Sequence, residues 1–277
     1  MRAMPGEWGT AMRSTGIISY YASRFKENRL LLAIQLLFLG FCIFSLVWFL
    51  RHRNNLSNVT SAIGYSLVFL VPYGVEYLFR FKCPQALLVF VYVYALFCFL
   101  GEAYNLYTIV KPLDVLMHAF SGLLSGLFGY MLATAFIDPD AGRKQFFGCL
   151  FIGLLFSVFV STFWEFYEFL RSLLTGMDHE EDVVIHSIHS FARSGTHDYP
   201  LVLDRIVKTL IYYDGGERVY EIGGYLDIGL YDTLSDMISG TFGGLLSMGL
   251  GAIRVGGRRI IVETLYPRLT GPADAAH

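Results

Sequence analysis

The hydrophobic positions of the chain fall into six long apolar blocks separated by polar segments. The blocks cover residues 30–50, 61–79, 84–108, 112–137, 146–173 and 228–252. Each block is long enough to cross a hydrocarbon core of about 30 Å as a helix that rises about 1.5 Å per residue. The pattern therefore predicts an all-α polytopic membrane protein with about six transmembrane helices.

The polar segments between the blocks are short except for one insert, residues 174–227, which precedes the sixth block. Within the insert, Val183 to Ala192 has an amphipathic pattern that predicts a short helix. The stretch from Lys208 to Ile222, with the turn at 214–217, predicts a hairpin. The predicted organisation, in chain order, is an N-terminal segment (1–28), five transmembrane helices (29–173), the insert (174–227), a sixth transmembrane helix (228–252) and a tail (253–277).

Lysine and arginine residues predict the orientation, because cytoplasmic loops of membrane proteins are enriched in them. With six spans, both termini lie on the same side as the second and fourth connectors. The basic residues of that side are Arg2, Arg13, Arg24, Lys26, Arg29, Arg80, Lys82, Arg143, Lys144, Arg254, Arg258, Arg259 and Arg268. The short connectors of the other side contain only Arg51, Arg53 and Lys111. The N- and C-termini are therefore predicted to be cytoplasmic, and the insert extracytoplasmic.

The first apolar block lacks a small-residue cleavage site and is expected to remain as the first span.

Composition agrees with a membrane protein. The chain is 55% hydrophobic and 16% charged, whereas soluble domains average about 45–50% and about 25%. A net charge of −2 argues against a nucleic-acid partner. The four cysteines lie in or beside apolar blocks without metal-ligand spacing, and we interpret them as packing residues.

Ionisable residues inside membrane spans are rare and need an explanation. The last three predicted helices each contain a pair, three or four residues apart and so on one helical face. These pairs are Asp114 with His118, Glu165 with Glu168, and Asp232 with Asp236. At about 1.5 Å per residue, all three pairs lie within about 12 Å of the same membrane surface.

Small residues at every fourth position continue from these pairs along each helix. The stripes are Gly122 and Gly126 after His118, Ser161, Ser157 and Gly153 before Glu165, and Gly240 and Gly244 after Asp236. Such stripes let membrane helices approach closely. Helix packing fully explains the glycines, and it predicts that the ionisable pairs at the ends of the stripes meet.

A cluster of carboxylates and an imidazole at low dielectric needs compensation for its charge, and a divalent cation is the simplest one. Carboxylate and histidine ligands suit Zn²⁺, Mn²⁺ or Mg²⁺. The insert adds Asp178 as a ligand. The predicted metal ligands are Asp114, His118, Glu165, Glu168, Asp178, Asp232 and Asp236. Glu165 or Glu168 is predicted to act as a catalytic general base. For each pair, a structural hydrogen-bonding role is the alternative.

Two further acidic residues lie inside predicted spans. Glu76 is expected to pair with Arg80, one turn later and near the inner membrane surface. Glu102 is interpreted either as a member of the cluster or as an interface residue.

Four motifs surround these residues: Leu113 to Gly122, Phe163 to Glu168, Gly176 to Asp178 and Gly229 to Met237. They resemble the motifs of the YjdF-type bacterial inner-membrane proteins and, more distantly, those of the VanZ-like proteins. The resemblance covers about half of the chain and implies a bacterial cytoplasmic membrane protein. The sequence departs from the family pattern after Asp178: a glutamine often stands two residues on, whereas this chain has His179, Glu180 and Glu181.

Three functions are compatible with these features. The first is a metal-dependent hydrolase or transferase that acts on a lipid or cell-envelope precursor. The second is a cation- or proton-coupled transporter, because intramembrane carboxylates also serve as relays. The third is a non-catalytic envelope scaffold or ligand-sequestering protein, in which the acids only fix helix register. Membrane lipids are the expected partners.

Overall fold

The structure is a computed structural model that describes residues 16–52, 56–196 and 198–269. The chain divides into two compact units, and each is described by itself. The first unit comprises Met1–Ser161 and Ser239–His277, and the second comprises Thr162–Ile238.

The described residues are mainly helical. The helices, in chain order, are α1 (Ile17–Glu27), α2 (Arg29–Arg51), α3 (Leu56–Leu67), α4 (Val71–Phe79), α5 (Gln85–Tyr104), α6 (Leu106–Ile109), α7 (Pro112–Thr134), α8 (Arg143–Thr175), α9 (Leu230–Ala252) and α10 (Ile260–Leu265).

Four of these helices are long and apolar enough to cross a membrane: α2, α5, α7 and the Arg143–Leu174 part of α8. The pair α3 and α4, bent by 50°, forms a fifth candidate span if it is counted as one. The prediction of a multi-span membrane protein is confirmed at this coarser level of four or five candidate spans. Helix α9 is not among the candidates, because Asp232, Asp236 and many glycines and serines lower its mean hydropathy. The sixth span stays a prediction.

The second apolar block is a broken helix rather than the continuous one that the sequence predicts. Pro72 stands at the start of α4 and has no N–H to donate to the carbonyl group of Val68, one turn earlier. The hydroxyl of Tyr92 donates to the Val68 and Phe69 carbonyl oxygens, each at 3.4 Å. The hydroxyl of Tyr21 donates to the Leu70 oxygen at 2.7 Å. The Tyr92 side chain thus supplies hydrogen bonds to two carbonyl groups of the break, whereas the Leu70 oxygen also accepts from the Gly74 backbone N–H at 3.2 Å.

Helix α1 packs against α4 through a buried ion pair. The Arg24 guanidinium donates to both Glu76 carboxylate oxygens, at 2.9 and 2.8 Å. Arg24 is 4% exposed and Glu76 is fully buried. The Tyr20 hydroxyl and the Cys83 backbone N–H also donate to this carboxylate, at 3.0 and 2.7 Å. The expectation that Glu76 pairs with Arg80 is therefore wrong: its cationic partner lies on a different helix.

The described end of the chain, residues 253–269, packs on other segments within the first unit. The Tyr266 side chain is fully buried, and its hydroxyl donates to the Ser247 carbonyl oxygen at 2.5 Å. Two short strands, β1 (Phe81–Lys82) and β8 (Arg268–Leu269), pair antiparallel. The segment is thereby attached to both α9 and the α4–α5 connection.

Helices α7, α8 and α9 pack through their small residues in the first unit, which confirms the predicted seams. A Cβ atom added to Gly122 of α7 would lie 1.8 Å from the Gly240 carbonyl oxygen of α9. One added to Gly153 of α8 would lie 2.6 Å from the Gly126 oxygen of α7. The Ser157 hydroxyl of α8 donates to the Gly240 oxygen at 3.1 Å. Any larger side chain at these glycines would separate the backbones.

The second unit contains the insert, which is built from short strands. In chain order, they are β2 (Val184–Ile185), β3 (Ser187–Ser190), β4 (Leu201–Asp204), β5 (Thr209–Tyr213), β6 (Arg218–Ile222) and β7 (Tyr225–Leu226). They pair antiparallel as β2–β7, β3–β4 and β5–β6.

The prediction of an amphipathic helix over Val183 to Ala192 is wrong, because this segment forms β2 and β3. Its valines and isoleucines are β-branched and favour extended backbone. The predicted hairpin is present: Thr209 pairs with Ile222 and Tyr213 with Arg218 around the turn Asp214–Gly216.

Candidate functional site

The second unit brings three of the predicted site residues together. Glu165 and Glu168 lie one turn apart on α8, and Asp236 lies on α9. One carboxylate oxygen from each lies within 4.8 Å of the other two. Glu165 is 5% exposed, Asp236 is 1% exposed and Glu168 is half-buried. We call Glu165, Glu168 and Asp236 the carboxylate cluster.

Helix periodicity explains how α8 supplies two of these groups. Residues three positions apart on an α-helix lie on the same face, so Glu165 and Glu168 point in similar directions. The neighbouring Phe163 and Phe166 are 62% and 65% exposed, as expected for the lipid-facing side of a spanning helix. The cluster therefore belongs to the polar face of a helix whose opposite face is apolar.

Three ionised carboxylates at this separation repel one another strongly. Two unit charges 4.8 Å apart interact by about 3 to 4 kcal/mol at an effective dielectric constant of about 20. Proton uptake or a bound cation relieves this repulsion. Because Glu165 and Asp236 are buried, bulk water screens the repulsion between these carboxylates only weakly.

The donor set fits a small divalent cation. Oxygen ligands about 2.1 Å from an octahedrally coordinated ion lie about 3.0 to 4.2 Å from one another. The upper limit of 4.8 Å within the cluster exceeds this range by an amount that side-chain rotation can remove. The cluster contains only oxygen donors, which hard cations such as Mg²⁺ and Mn²⁺ prefer.

The first unit brings together the other predicted pair, Asp114 and His118. The His118 Nε2 atom lies 3.7 Å from Asp114 Oδ1, and the two side chains are 14% and 20% exposed. They lie one turn apart near the start of α7. This distance is longer than a direct hydrogen bond, and the two groups form an ion pair only when the imidazole is protonated.

Asp178 and Asp232 do not belong to the carboxylate cluster within the described part of the second unit. Asp178 is exposed, and its Oδ2 atom accepts a hydrogen bond from the Asp182 backbone N–H at 3.3 Å. Asp232 is half-buried in the first turn of α9, where a carboxylate is favoured by the positive end of the helix dipole. Their predicted role as metal ligands stays a prediction.

Asp227 has a structural role that was not assigned from the sequence. It is 9% exposed, and its carboxylate accepts from the backbone N–H groups of Val183, Gly229 and Tyr231 at 2.9, 3.3 and 2.6 Å. Asp227 stands three residues before the first residue of α9, Leu230, and an aspartate in such a position is a recognisable acceptor for N–H groups at a helix start. Asp227 thus joins the first strands of the insert to the start of α9.

Two carboxyl groups in the segment after Asp178 have raised pKa values because of burial and neighbouring acidic residues. Burial, together with the charges of Asp178 and Asp182, raises the pKa of the Glu180 carboxyl. Burial and the charges of Asp178 and Asp227 raise the pKa of Asp182 in the same way. Both groups are stabilised in their neutral forms relative to free carboxyls.

Glu102 has contacts typical of a helix-interface residue, the second interpretation given to it above. Its carboxylate accepts from the Ser61 and Tyr65 hydroxyls of α3 at 2.8 and 3.0 Å. The residue joins α5 to α3 in the first unit.

A comparison with curated proteins and a comparison with solved structures each found no significant match. A protein-family model described as "Predicted membrane protein (DUF2238)" matches residues 34–257, which is most of the chain. This match includes both ionisable pairs of α7 and α8, the insert and all of α9. The chain therefore belongs to the membrane-protein family described as Predicted membrane protein (DUF2238).

Proposed function

We propose that this protein is a multi-pass, YjdF-type protein of the bacterial cytoplasmic membrane that binds a divalent cation through its carboxylate cluster. We further propose that it catalyses metal-dependent hydrolysis or group transfer on a lipid or cell-envelope precursor at the outer leaflet. The observation that supports this function is the approach of three carboxylates to within 4.8 Å, with Glu165 and Asp236 buried. In this proposal α9 is a sixth span, both termini are cytoplasmic and the insert faces outward.

Glu165, Glu168 and Asp236 would hold the cation. A divalent cation bound there would supply a Lewis acid that polarises a phosphoryl or carbonyl oxygen. Among Zn²⁺, Mn²⁺ and Mg²⁺, the all-oxygen set favours Mg²⁺ or Mn²⁺.

The burial of the cluster residues suggests a division of roles. Glu165 and Asp236 are excluded from solvent, so they are suited to permanent coordination. Glu168 is half-buried, so its carboxylate can contact both a substrate and the other two carboxylates. We therefore assign the role of general base to Glu168. The exposed Phe163 and Phe166 on the same helix would let an amphiphilic substrate approach from the bilayer.

Metal analysis of the purified full-length protein tests this function. We expect the wild type, saturated with Mn²⁺ or Mg²⁺ and then desalted, to retain about one ion per chain. Glu165→Gln and Asp236→Asn should lose it. Glu102→Gln is the matched control, because it removes a carboxylate of a spanning helix outside the cluster. A wild type that retains no stoichiometric divalent metal under any of these conditions would overturn the proposal.

The same measurement tests the other predicted ligands. His118→Ala and Asp114→Asn should lower metal retention if the sequence-based prediction of a single centre is correct. Asp178→Ala and Asp232→Asn test the remaining two residues. Retention equal to that of the wild type in a variant removes that residue from the ligand set and leaves the carboxylate cluster unaffected.

The broken pair α3 and α4 favours cation- or proton-coupled transport as a second candidate function. Discontinuous transmembrane helices are common at the binding sites of transporters, and the 50° bend between Leu67 and Val71 is such a discontinuity. Cation- or proton-driven flux in proteoliposomes would support it, and the Glu165→Gln variant should then abolish the flux.

A further inference from the structure

The insert has an apolar surface that is unusual for a protein segment exposed to water. In the β5–β6 hairpin, Tyr212, Val219 and Tyr220 are 65%, 52% and 62% exposed, and Leu210 and Ile211 are each more than 40% exposed. Antiparallel pairing puts Tyr212 beside Val219 on one face and Ile211 beside Tyr220 on the other. Both faces of the hairpin therefore present large apolar or aromatic side chains, and an isolated two-stranded hairpin of this kind is marginally stable in water.

The second hairpin of the insert, β3–β4, has the same character. Leu201, Val202 and Leu203 are 40–45% exposed, and Phe191 and Tyr199 beside them are 52% and 69% exposed. The apolar surface is thus a property of the insert as a whole.

The charges of the β5–β6 hairpin are largely neutralised within it. Lys208 pairs with Glu221 at 3.3 Å, and Arg218 pairs with Asp214 at 3.4 Å. This hairpin therefore presents no strong field of either sign. A nucleic acid or a highly charged protein would find little electrostatic complementarity on this surface.

The position of the insert in the chain indicates what covers it. The candidate span in α8 ends at Leu174, and β2 begins at Val184. Nine intervening residues span at most about 30 Å when fully extended. Within the second unit, the exposed Phe166, Phe169 and Leu173 of α8 face lipid if this helix spans the membrane. The first strand of the insert therefore begins within about 30 Å of the end of a candidate span, and the two hairpins follow directly from it.

Tyrosine is the residue that a membrane–water interface favours, because its ring is apolar and its hydroxyl stays hydrated. The insert has tyrosines at positions 199, 212, 213, 220 and 225, all of them exposed. We infer that the β3–β4 and β5–β6 hairpins form a membrane-docking surface that lies in the interfacial layer of the bilayer. Both apolar faces of the hairpins are then covered by the acyl-chain and headgroup region of this layer, with the tyrosine hydroxyls at the level of the headgroups. This inference does not depend on metal binding or on any catalytic activity.

Site-specific fluorescence of the full-length protein in lipid nanodiscs tests this surface. The four native cysteines are buried, so a water-soluble thiol reagent selects a newly introduced thiol. We would label Tyr212→Cys and Val219→Cys with the polarity-sensitive fluorophore NBD. Glu217→Cys, in the turn of the same hairpin, is the matched control with an exposed polar side chain.

Emission from Tyr212→Cys and Val219→Cys should shift to shorter wavelength in nanodiscs relative to Glu217→Cys. A lipid with a spin label near its headgroup should quench these two positions at least twofold more than the control, and aqueous Co²⁺ should quench them less. Equal Co²⁺ quenching at all three positions, without lipid quenching, would overturn the proposal. Protection from both quenchers that depends on protein density in the bilayer would also overturn it, because a second copy would then cover the hairpins. Unchanged melting temperatures of the labelled variants would confirm that they are folded.

Discussion

Gly122 of α7 lies so close to Gly240 of α9 that a Cβ atom at position 122 would be 1.8 Å from the Gly240 carbonyl oxygen. Because the obstacle is backbone rather than the end of a flexible side chain, the two helices must separate to admit even a methyl group. This contact holds α7 and α9 in register within the first unit, and the ionisable residues of each helix precede it in the chain.

Gly122→Ala should therefore destabilise the protein. Overpacking of a close contact costs typically about 1–3 kcal/mol, which outweighs the gain of up to about 1 kcal/mol in helix propensity. Thermal unfolding can be followed with a thiol-reactive dye, because Cys42, Cys83, Cys98 and Cys149 are buried. Gly249→Ala is the control, since a Cβ atom there meets nothing within 4 Å, and its melting temperature should stay equal or rise. An equal response of the two variants would contradict the close-packing interpretation.

The sequence predicted the features that depend on local spacing. Apolar blocks located α2, α5, α7 and α8, and small residues at every fourth position located the seams between α7, α8 and α9. The i, i+3 spacing of Glu165 and Glu168 placed both in one cluster. These features follow from helix periodicity, which a single sequence displays directly.

Features that depend on contacts between distant segments were missed. Glu76 was assigned to Arg80 because the two are one turn apart, whereas its partner Arg24 lies 52 residues earlier. Strands β2 and β3 were mistaken for a helix because their pairing partners, β7 and β4, come later in the chain. In both cases the observed structure depends on a partner far away in the chain, which local spacing does not reveal.

The Arg24–Glu76 pair gives a second prediction. Glu76→Gln and Arg24→Met should each lower the melting temperature strongly, because removing one partner of a buried pair costs about 3–5 kcal/mol. The double variant should be more stable than the sum of the two single effects predicts, since neither Arg24 nor Glu76 is then left buried without its partner. Arg80→Met should have little effect. If the double variant loses as much as both single variants together, the two residues are not coupled.

Asp227 gives a third prediction, which concerns the insert. Asp227→Ala leaves three backbone N–H groups without their acceptor, and loss of a capping side chain costs about 0.5–2 kcal/mol. Hydrogen–deuterium exchange should therefore increase at Val183, Gly229 and Tyr231 and remain unchanged in α7. Asp178→Ala removes one long bond at an exposed site and should leave exchange at these positions unaltered. Slow exchange at Tyr231 in the Asp227→Ala variant would argue against the cap.

The raised pKa values of Glu180 and Asp182 give a fourth prediction. A carboxyl whose pKa is higher in the folded state lowers stability when it is ionised. That penalty is fully present above the folded pKa and is lost as the pH falls below the unfolded value of about 4. Hydrogen exchange of the 178–185 segment should therefore slow, relative to the intrinsic rate, when the pH is lowered from 7 to 5. The double variant Glu180→Gln with Asp182→Asn should be less dependent on pH, and a dependence equal to that of the wild type would contradict this assignment.

The break between α3 and α4 gives the last prediction, on the hydroxyl of Tyr92. Tyr92→Phe removes the donor to the Val68 and Phe69 carbonyl oxygens and a partner of the fully buried Gln35 amide. Buried polar groups left unsatisfied cost about 1–3 kcal/mol, so the melting temperature should fall. Pro72→Ala restores a backbone N–H that can donate to the Val68 oxygen one turn earlier. Adding Pro72→Ala to Tyr92→Phe should therefore recover part of the lost stability, because the carbonyl then has a donor from its own helix. No recovery in the double variant would mean that the bend is maintained by packing around the break rather than by the missing hydrogen bond.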